Sequence, residues 1–324
     1  MELGRFPEEV VLAPELDIKG DLFAQKPSVG AVMTEKRTLQ HQADNKVWRL
    51  YVDVSCTDAE HDGSSWAKAY RSINEAIEYF ANVQATDGVE RFEILVREGD
   101  CYPRYSFTNL DPKTATINVL KTERPLVIKG GYRVEDDGSA ARKPLEYRSV
   151  IDGNPKGKAL EDGLYHCITV AEDANVEIDG FHVVGGYAVS STYKSGAGML
   201  VGKRAAVTVR NTVFENNTAV EAAAISAQDG SNLTLVNCVV NNNTNTTESA
   251  SVIAANNLTM HYVTVVNNKG AAPGGNYSTS FSAGNTFGSN NMQNLNTLSA
   301  DGAKNFANPT NAPGATLGYD TYLG

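Results

Sequence analysis

The sequence contains no long apolar run and no basic beginning. No stretch approaches the roughly 18 to 20 apolar residues of a membrane-spanning helix, so we expect no transmembrane segment in this chain. The first residues, MELGRFPEEVV, lack the basic and then apolar pattern of a signal peptide. The protein is therefore expected either to be cytoplasmic or to have lost a leader that preceded Met1.

The sequence is also poor in positive charge. It holds 28 Lys and Arg residues against 38 Asp and Glu residues, which gives a net charge of −10 and a pI near 5.1. Binding to nucleic acid or to anionic membranes needs clustered Lys and Arg, so the composition argues against both. With 324 residues and 41% hydrophobic content, the chain can bury the core of one large domain or of two smaller ones.

Cysteine is scarce, and no two cysteines have CxxC spacing. This pattern indicates neither a zinc site nor a disulfide framework. Free cysteine packs as a small hydrophobe, so we expect buried thiols. The four residues are Cys56, Cys101, Cys167 and Cys238.

What the sequence does contain is an internal repeat. The segments VTVRNTVFENN from Val207, LTLVNCVVNNN from Leu233 and LTMHYVTVVNN from Leu258 align column by column. An earlier copy, VEIDGFHVVGG, begins at Val176, so the spacings are 31, 26 and 25 residues. Self-similarity at such a period is typical of repeat architectures, in which each unit buries its apolar face against the next.

Each copy indicates short strands joined by tight corners. Apolar residues alternate with polar ones at the period of a β-strand, and Gly180, Asn211 and Asn237 tolerate the left-handed backbone of a corner. Three short strands per repeat describe one coil of a right-handed parallel β-helix, and the leucine skeleton of a leucine-rich repeat is missing. We therefore predict an all-β fold, a right-handed parallel β-helix of roughly seven or eight coils with an N-terminal α-helical cap.

The paired asparagines have a structural interpretation. Equivalent asparagines of successive coils should lie one above another at the strand spacing of roughly 4.8 Å, where their amides can hydrogen-bond along the stack. The pairs thus mark corners of the fold and do not indicate an active site. The predicted ladder positions are Asn211, Asn216, Asn217, Asn237, Asn242, Asn243, Asn267 and Asn268.

The stretch SINEAIEYFANV predicts a short amphipathic helix. Ser72 and Glu75 fit a capping box, and apolar residues recur at helical spacing from Ile73 to Phe80. An open first coil would leave strand edges that recruit other chains. We expect the apolar stripe of this helix to cover that coil.

The predicted cap and the segments that follow it resemble those of a known group of proteins. The segment YVDVSCTDAEHDGSSWAKAYRSINEAIEYF resembles the N-terminal cap of right-handed β-helix proteins of the pectate-lyase-like superfamily found on bacterial surfaces. FEILVREGDCYP, PLVIKGGY, SVIDGN and VEIDGFHVVGG are similar to the early coils of the same proteins, and the later FxNN coils resemble repeats of polymorphic outer-membrane proteins. The resemblance runs from Tyr51 to the end. It implies the fold but no single function, because the superfamily includes polysaccharide lyases, glycosidases, adhesins and passenger domains.

These observations divide the chain into four parts. The chain ends in the stretch NFANPTNAPGATLGYDTYLG. In the proteins that the chain resembles, such a stretch leads into further coils, so we expect this chain to be a fragment. The predicted parts are an N-terminal spacer or tail at 1–47, a cap with the amphipathic helix at 48–91, the β-helix at 92–300, and a C-terminal segment at 301–324.

A candidate ligand-binding surface follows from strand alternation. Alternation points Glu177, Asp179 and His182 outward and places Arg210 and His261 on the same surface in later copies. Such a set offers a base and a cation for a lyase, or carboxylates for a glycosidase. The competing interpretation is an ordinary ion pair between Asp179 and Arg210 with solvated histidines.

Calcium is the one cofactor for which the sequence offers candidate ligands. Asp53, Asp58 and Asp62 crowd one loop before Gly63. Two interpretations stay open: Ca²⁺ binding, for which the spacing does not match an EF-hand loop, and an ordinary Asp-Gly turn.

Function is predicted from the later coils. They carry few charges, and their outward column of Val213, Val239 and Thr264 suits contact with another surface. We predict a non-catalytic bacterial cell-surface protein, extracellular or surface-attached, that serves adhesion or glycan binding; its partner would be a polysaccharide or a host or cell-surface glycoprotein. The alternatives are a polysaccharide lyase or glycoside hydrolase of the pectate-lyase-like group, acting at the surface around Glu177 and Arg210, and a spacer without a ligand.

Overall fold

The protein is represented by a computed structural model. Residues 1–45 and 301–324 lie outside the described residues, and with them nearly all of the predicted N-terminal spacer and the predicted C-terminal segment. No helix in the described part of the chain is long and apolar enough to cross a membrane. The structure describes residues 46–83, 86–103, 111–135, 138–154, 158–247 and 250–270, together with two further strands at 278–281 and 286–287.

The described residues form mostly short strands. They also form one α-helix, α1 (Ile73–Asn82), and two 3₁₀ turns at Pro112–Thr114 and Leu160–Asp162. The strands are β1 (Val47–Val52), β2 (Arg91–Arg97), β3 (Gly99–Asp100), β4 (Ile117–Val119), β5 (Leu126–Val134), β6 (Ala140–Arg142), β7 (Ser149–Asp152), β8 (Ile168–Val170), β9 (Asn175–Asp179), β10 (Phe181–Val184), β11 (Tyr187–Ala188), β12 (Met199–Val201), β13 (Ala206–Arg210), β14 (Val213–Glu215), β15 (Thr218–Ala219), β16 (Ile225–Ala227), β17 (Asn232–Val236), β18 (Val239–Asn241), β19 (Thr244–Asn245), β20 (Ile253–Ala254), β21 (Asn257–His261), β22 (Thr264–Val266), β23 (Ser278–Phe281) and β24 (Thr286–Phe287).

The strands stack in parallel sheets. The long sheet has the order β1-β2-β5-β9-β13-β17-β21-β23, and β6 adds to it by pairing antiparallel with β5. A second sheet has the order β3-β7-β10-β14-β18-β22-β24, a third β4-β8-β12-β16-β20, and a fourth, smaller sheet β11-β15-β19. Each strand of the later repeats pairs in parallel with its equivalents one repeat away, which is consistent with a parallel β-helix.

The register confirms the repeat alignment in the long sheet. Val207 pairs with Leu233, and Leu233 pairs with Leu258. Alternate residues of these strands point inward and are buried, as the period of two predicts. A second inward file consists of Leu50, Ile94, Ile128, Ile178, Val209, Leu235 and Met260.

Several corners of each repeat use left-handed backbone, and two of them carry the recurring Gly and Asn. At the first corner, Gly180, Asn211, Asn237 and Tyr262 all have positive φ. At the second corner the positive φ falls on Gly185 and then on the first asparagine of each pair. Gly and Asn tolerate this conformation, which explains why they recur at these positions. The asparagines of the second corner are Asn216, Asn242 and Asn267, with φ of 56°, 55° and 55°.

Asparagine amides bond along both corners. One contact departs from the predicted ladder, because Asn267 Nδ2 donates to Asn241 Oδ1 at 3.0 Å and not to Asn242. The second asparagine of each pair points inward; Asn217, Asn243 and Asn268 are buried. The outer contacts run from Asn237 Nδ2 to Asn211 Oδ1 at 2.9 Å and from Asn242 Nδ2 to Asn216 Oδ1 at 2.6 Å.

Helix α1 begins at a side-chain cap. Ser72 accepts a hydrogen bond from the Asn74 backbone N–H, and Glu75 accepts one from the Arg71 backbone N–H at 3.2 Å. Both predicted capping residues therefore cap the helix, each through a different N–H than a standard capping box uses.

The apolar side of α1 packs on the first strands. Phe80 stacks on Phe92 of β2, with ring centroids 4.3 Å apart, and meets Trp48 of β1 edge-on at 6.0 Å. The buried Asn74 amide donates to Thr116 O at 2.8 Å and accepts from Asn118 N at 2.9 Å. This side chain thus bonds the free edge of β4, the terminal strand of the third sheet.

Candidate functional site

The candidate surface predicted from the sequence lies partly on the long sheet. Glu177 and Arg210 sit on neighbouring strands, and Arg210 Nε lies 3.1 Å from Glu177 Oε2. Both side chains are partly exposed. His261 lies in the same file as Arg210 but two strands further along, roughly 10 Å away at the spacing of a sheet.

Asp179 corrects the prediction. Strand alternation predicts that it faces solvent, and the competing interpretation pairs it with Arg210. Instead it is only 6% exposed, and its Oδ1 lies 2.9 Å from Arg142 Nη2 and accepts a hydrogen bond from Asn211 Nδ2 at 2.7 Å. The physical reason is the antiparallel strand β6, whose Arg142 reaches over the sheet and occupies this carboxylate.

His182 also departs from the prediction. It lies on β10 in the second sheet and is 6% exposed, and burial together with the nearby Arg148 charge lowers its pKa to about 4. Val213 and Thr264, in the same file, are buried too, so the expected exposed β-branched stripe is wrong at these two positions. His182 therefore lies on a different sheet from Glu177, Asp179, Arg210 and His261, and it shares no exposed surface with them.

The acidic loop holds its carboxylates in local turns. Asp53 pairs with Arg97 at 2.8 Å; Asp58 Oδ1 accepts from the Glu60 backbone N–H, and Asp62 Oδ1 accepts from Ser64. In the described part of the chain, no three His, Cys, Asp or Glu side chains are grouped so as to hold a metal ion. Calcium binding at Asp53, Asp58 and Asp62 stays a prediction.

A different surface brings aromatic rings together. Trp66, on the loop between β1 and α1, meets Tyr51 of β1 with ring centroids 4.9 Å apart and Tyr132 of β5 at 5.6 Å. All three rings are partly exposed. We call Tyr51, Trp66 and Tyr132 the aromatic triad.

The loop that carries Trp66 is fixed to the edge of β1. Tyr51 N donates to Gly63 O at 3.0 Å, and Tyr70 N donates to Tyr51 O at 2.9 Å. Gly63 has a φ of 73°, and a Cβ there would lie 2.4 Å from the Tyr70 ring, so glycine is required at this turn. The same contacts occupy the edge of the long sheet and present the Trp66 ring.

Three cations surround one carboxylate beside the triad. Glu93 of β2 is 3% exposed, and it lies 2.8 Å from Arg49 Nε, 3.0 Å from Arg91 Nε and 3.0 Å from Lys129 Nζ. We call Arg49, Arg91 and Lys129 the cation cluster. Burial opposes ionisation of Glu93, but the hydrogen bonds from Lys129 and Arg49 outweigh it, and they lower the pKa of this carboxyl to about 2.

The low pKa of Glu93 fixes its charge state. A carboxyl with a pKa of about 2 stays ionised at neutral pH, so it stays paired with the cation cluster. Burial raises the pKa of Tyr132.

Comparisons with family models, with curated proteins and with solved structures give no match to this chain. The geometry of the aromatic triad and of the cation cluster therefore supplies the basis for a functional proposal.

Part of this surface could be predicted from the sequence. The alternation in VWRLYV already places Arg49 and Tyr51 on the outer face of β1, opposite the buried Trp48 and Leu50. The position of Trp66 carries no such signal, because a loop has no period. Its place over Tyr51 and Tyr132 depends on how the loop folds back onto β1.

Proposed function

We propose that this protein is a non-catalytic, extracellular or cell-surface β-helix that binds glycans, free or on a glycoprotein, through the aromatic triad. The observation that carries the proposal is the contact of Trp66 with Tyr51 and Tyr132 on the outward side of the long sheet. Aromatic faces suit the apolar C–H faces of sugar rings, and their polar tips suit the hydroxyls.

The polar tips of the triad are available to a ligand. Within the described residues, neither the Tyr51 nor the Tyr132 hydroxyl makes a hydrogen bond to the protein, and the Trp66 indole N–H has no protein partner either. Binding sites commonly combine apolar area with a few such groups that fix orientation. The triad has both parts, with Tyr51 and Tyr132 on the long sheet and Trp66 on the loop that is hydrogen-bonded to β1.

The same proposal includes the finer fold. We assign the stacked sheets to a right-handed parallel β-helix of the pectate-lyase-like type. Parallel crossover connections are right-handed in nearly all proteins, which supports the hand. We also assign α1 as the cap of the first coil; its support is the Asn74 amide that bonds the free edge of β4.

Affinity electrophoresis through gels that contain neutral or acidic polysaccharides tests the binding. We expect retardation in at least one gel, without release of unsaturated or reducing products. Trp66→Ala should weaken retardation roughly tenfold or more, the effect of losing one well-placed aromatic contact. Tyr193→Ala is the matched control, since Tyr193 stacks on Tyr165 elsewhere on the molecule.

The outcomes separate the candidate functions. Retardation that Trp66→Ala leaves unchanged would remove the triad from the binding site. Steady release of unsaturated or reducing products from any polymer would favour the lyase or hydrolase. Absence of retardation in every gel would favour a spacer without a ligand.

A further inference from the structure

Resting on the proposed glycan binding, we infer that the bound glycan carries an anionic substituent, a carboxylate or a sulfate, which the cation cluster holds beside the aromatic triad. The inference starts from an imbalance of charge. Three cations of the cluster share the single carboxylate of Glu93, which leaves an excess of two positive charges. The chain as a whole carries a net charge of −10.

The neighbouring ion pairs do not cancel the excess. Four ion pairs on or next to the strands of the long sheet each join one cation to one carboxylate, so they add nothing to the balance of charge. These pairs are Lys46 with Glu90, Arg97 with Asp53, Arg142 with Asp179, and Arg210 with Glu177.

The cation cluster also has N–H donors that make no hydrogen bond to the described residues. Arg49 and Arg91 each bond Glu93 through Nε alone, so within the described residues their Nη groups make no hydrogen bond to protein. Lys129 Nζ uses one of its three donors. The three side chains are 36%, 48% and 26% exposed, which leaves these donors within reach of a ligand.

Glu93 fixes where the surplus charge lies. Its buried carboxylate bonds Arg49 through Oε2, and Arg91 and Lys129 through Oε1, so each cation is held at one end while its other donors stay free. Like charges held this close repel one another, and a second anion would relieve the repulsion. Glu93 is thus a positioning residue for the cation cluster.

The cluster and the triad are close enough for one ligand. Arg49 and Tyr51 are two residues apart on β1 and face the same side, a separation of roughly 7 Å. Arg49 and Glu93 also lie close enough to Tyr132 to influence its pKa. A sugar ring on the triad would place an acidic substituent over the cation cluster.

The test compares each acidic polymer with its neutralised form. Affinity electrophoresis would use alginate and hyaluronan against their carboxyl-reduced forms, and dextran sulfate against dextran, its uncharged, unsulfated form. We expect the wild-type protein to bind an acidic form at least roughly tenfold more tightly than its neutralised form, with the preference falling as salt rises. The two sets distinguish a carboxylate from a sulfate as the recognised group.

Variants assign the preference to the cation cluster. Arg49→Gln and, separately, Lys129→Gln should reduce affinity for the acidic polymer roughly tenfold and leave affinity for the neutralised polymer unchanged. Arg204→Gln is the control, because Arg204 pairs with Glu172 and Asp173 and belongs to neither group. Thermal unfolding of each variant checks that it is folded.

Each outcome has one meaning. Equal affinity for acidic and neutralised polymers, with loss of both in Trp66→Ala, would overturn the anionic preference and leave the proposed glycan binding intact. A preference that Arg49→Gln and Lys129→Gln leave unchanged would overturn the role of the cation cluster. If no polymer binds, both proposals fail.

Discussion

The side chains of Asn217 and Asn243, on successive repeats, are joined by a hydrogen bond inside the protein. Asn217 Nδ2 donates to Asn243 Oδ1 at 3.0 Å, and Asn243 Nδ2 in turn donates to Asn268 Oδ1 at 3.0 Å. The same amides also bond backbone groups of the corners; Asn243 Nδ2 donates to Phe214 O at 2.9 Å. We call Asn217, Asn243 and Asn268 the inner ladder. Their amides supply the hydrogen bonds that water would otherwise make to backbone groups buried at the corner.

The inner ladder should contribute more to the free energy of unfolding than the outer ladder, the exposed contact between Asn216 and Asn242. Asn243→Ala removes a buried amide and leaves Asn217 N and Phe214 O short of partners, so we expect a loss of about 2 to 4 kcal/mol in the free energy of unfolding. The exposed Asn242 bonds Asn216, and glycine accepts its positive φ. Asn242→Gly, the control, should change stability by less than about 1 kcal/mol. Urea unfolding followed by circular dichroism measures both, and equal losses would contradict the distinction.

Asn74 on helix α1 should be a second point of stability. Asn74→Ala removes the two hydrogen bonds to Thr116 O and Asn118 N, and we expect a cost of about 2 to 3 kcal/mol. It would also free the edge of β4, so the variant should self-associate more than the wild type. Asn82→Ala on the same helix serves as the control, since Asn82 is exposed and its amide contacts only Glu78 O in the described residues. Urea unfolding and sedimentation would check the pair, and wild-type behaviour of Asn74→Ala would contradict the proposed cap.

Periodic features of this protein could be predicted from its sequence, and non-periodic ones could not. The pairing of Val207 with Leu233 and Leu258 follows from columns of alternating residues, because each repeat stacks on an equal one. The Arg142 contact with Asp179 depends instead on a hairpin that occurs once in the described residues, so alternation alone predicts an exposed Asp179. The same limit applies to Trp66, whose loop has no counterpart in the repeats as far as the structure describes them.

His182 should make stability depend on pH. Folding lowers its pKa from the usual 6.5 to about 4, so between these values the unfolded chain binds more protons than the folded one. The contribution of neutral His182 is complete above about pH 6.5, falls as the pH drops toward 4, and amounts to at most about 3 kcal/mol. Val150 and Val213 are its neighbours across the sheet, so His182→Val fits the site.

Unfolding measured at pH 7, 5.5 and 4.5 tests this dependence. We expect the wild type to lose stability across the series, and His182→Val to lose markedly less. Thr264→Val, the control at a buried position of the same file that carries no titratable group, should keep the loss of the wild type. The same acid loss in His182→Val as in the wild type would assign the effect to other groups.

Tyr262 occupies a corner where the two preceding repeats have asparagine. Its φ is 55° and its side chain is 48% exposed, so a bulky residue holds a left-handed conformation without burying its ring. That conformation costs an ordinary residue about 1 to 2 kcal/mol, and Asn tolerates it better. Tyr262→Asn would also allow the new amide to bond Asn237, the last member of the first-corner ladder.

We therefore expect Tyr262→Asn to raise the free energy of unfolding by about 1 kcal/mol. Tyr262→Gly should show the backbone effect without the amide contact, and Tyr262→Phe should leave stability unchanged because it keeps both the φ and the ring. Urea unfolding under one set of conditions compares the three. A loss of stability in Tyr262→Asn would contradict this expectation. It would show that contacts of the Tyr262 ring stabilise the protein by more than the left-handed backbone at this residue destabilises it.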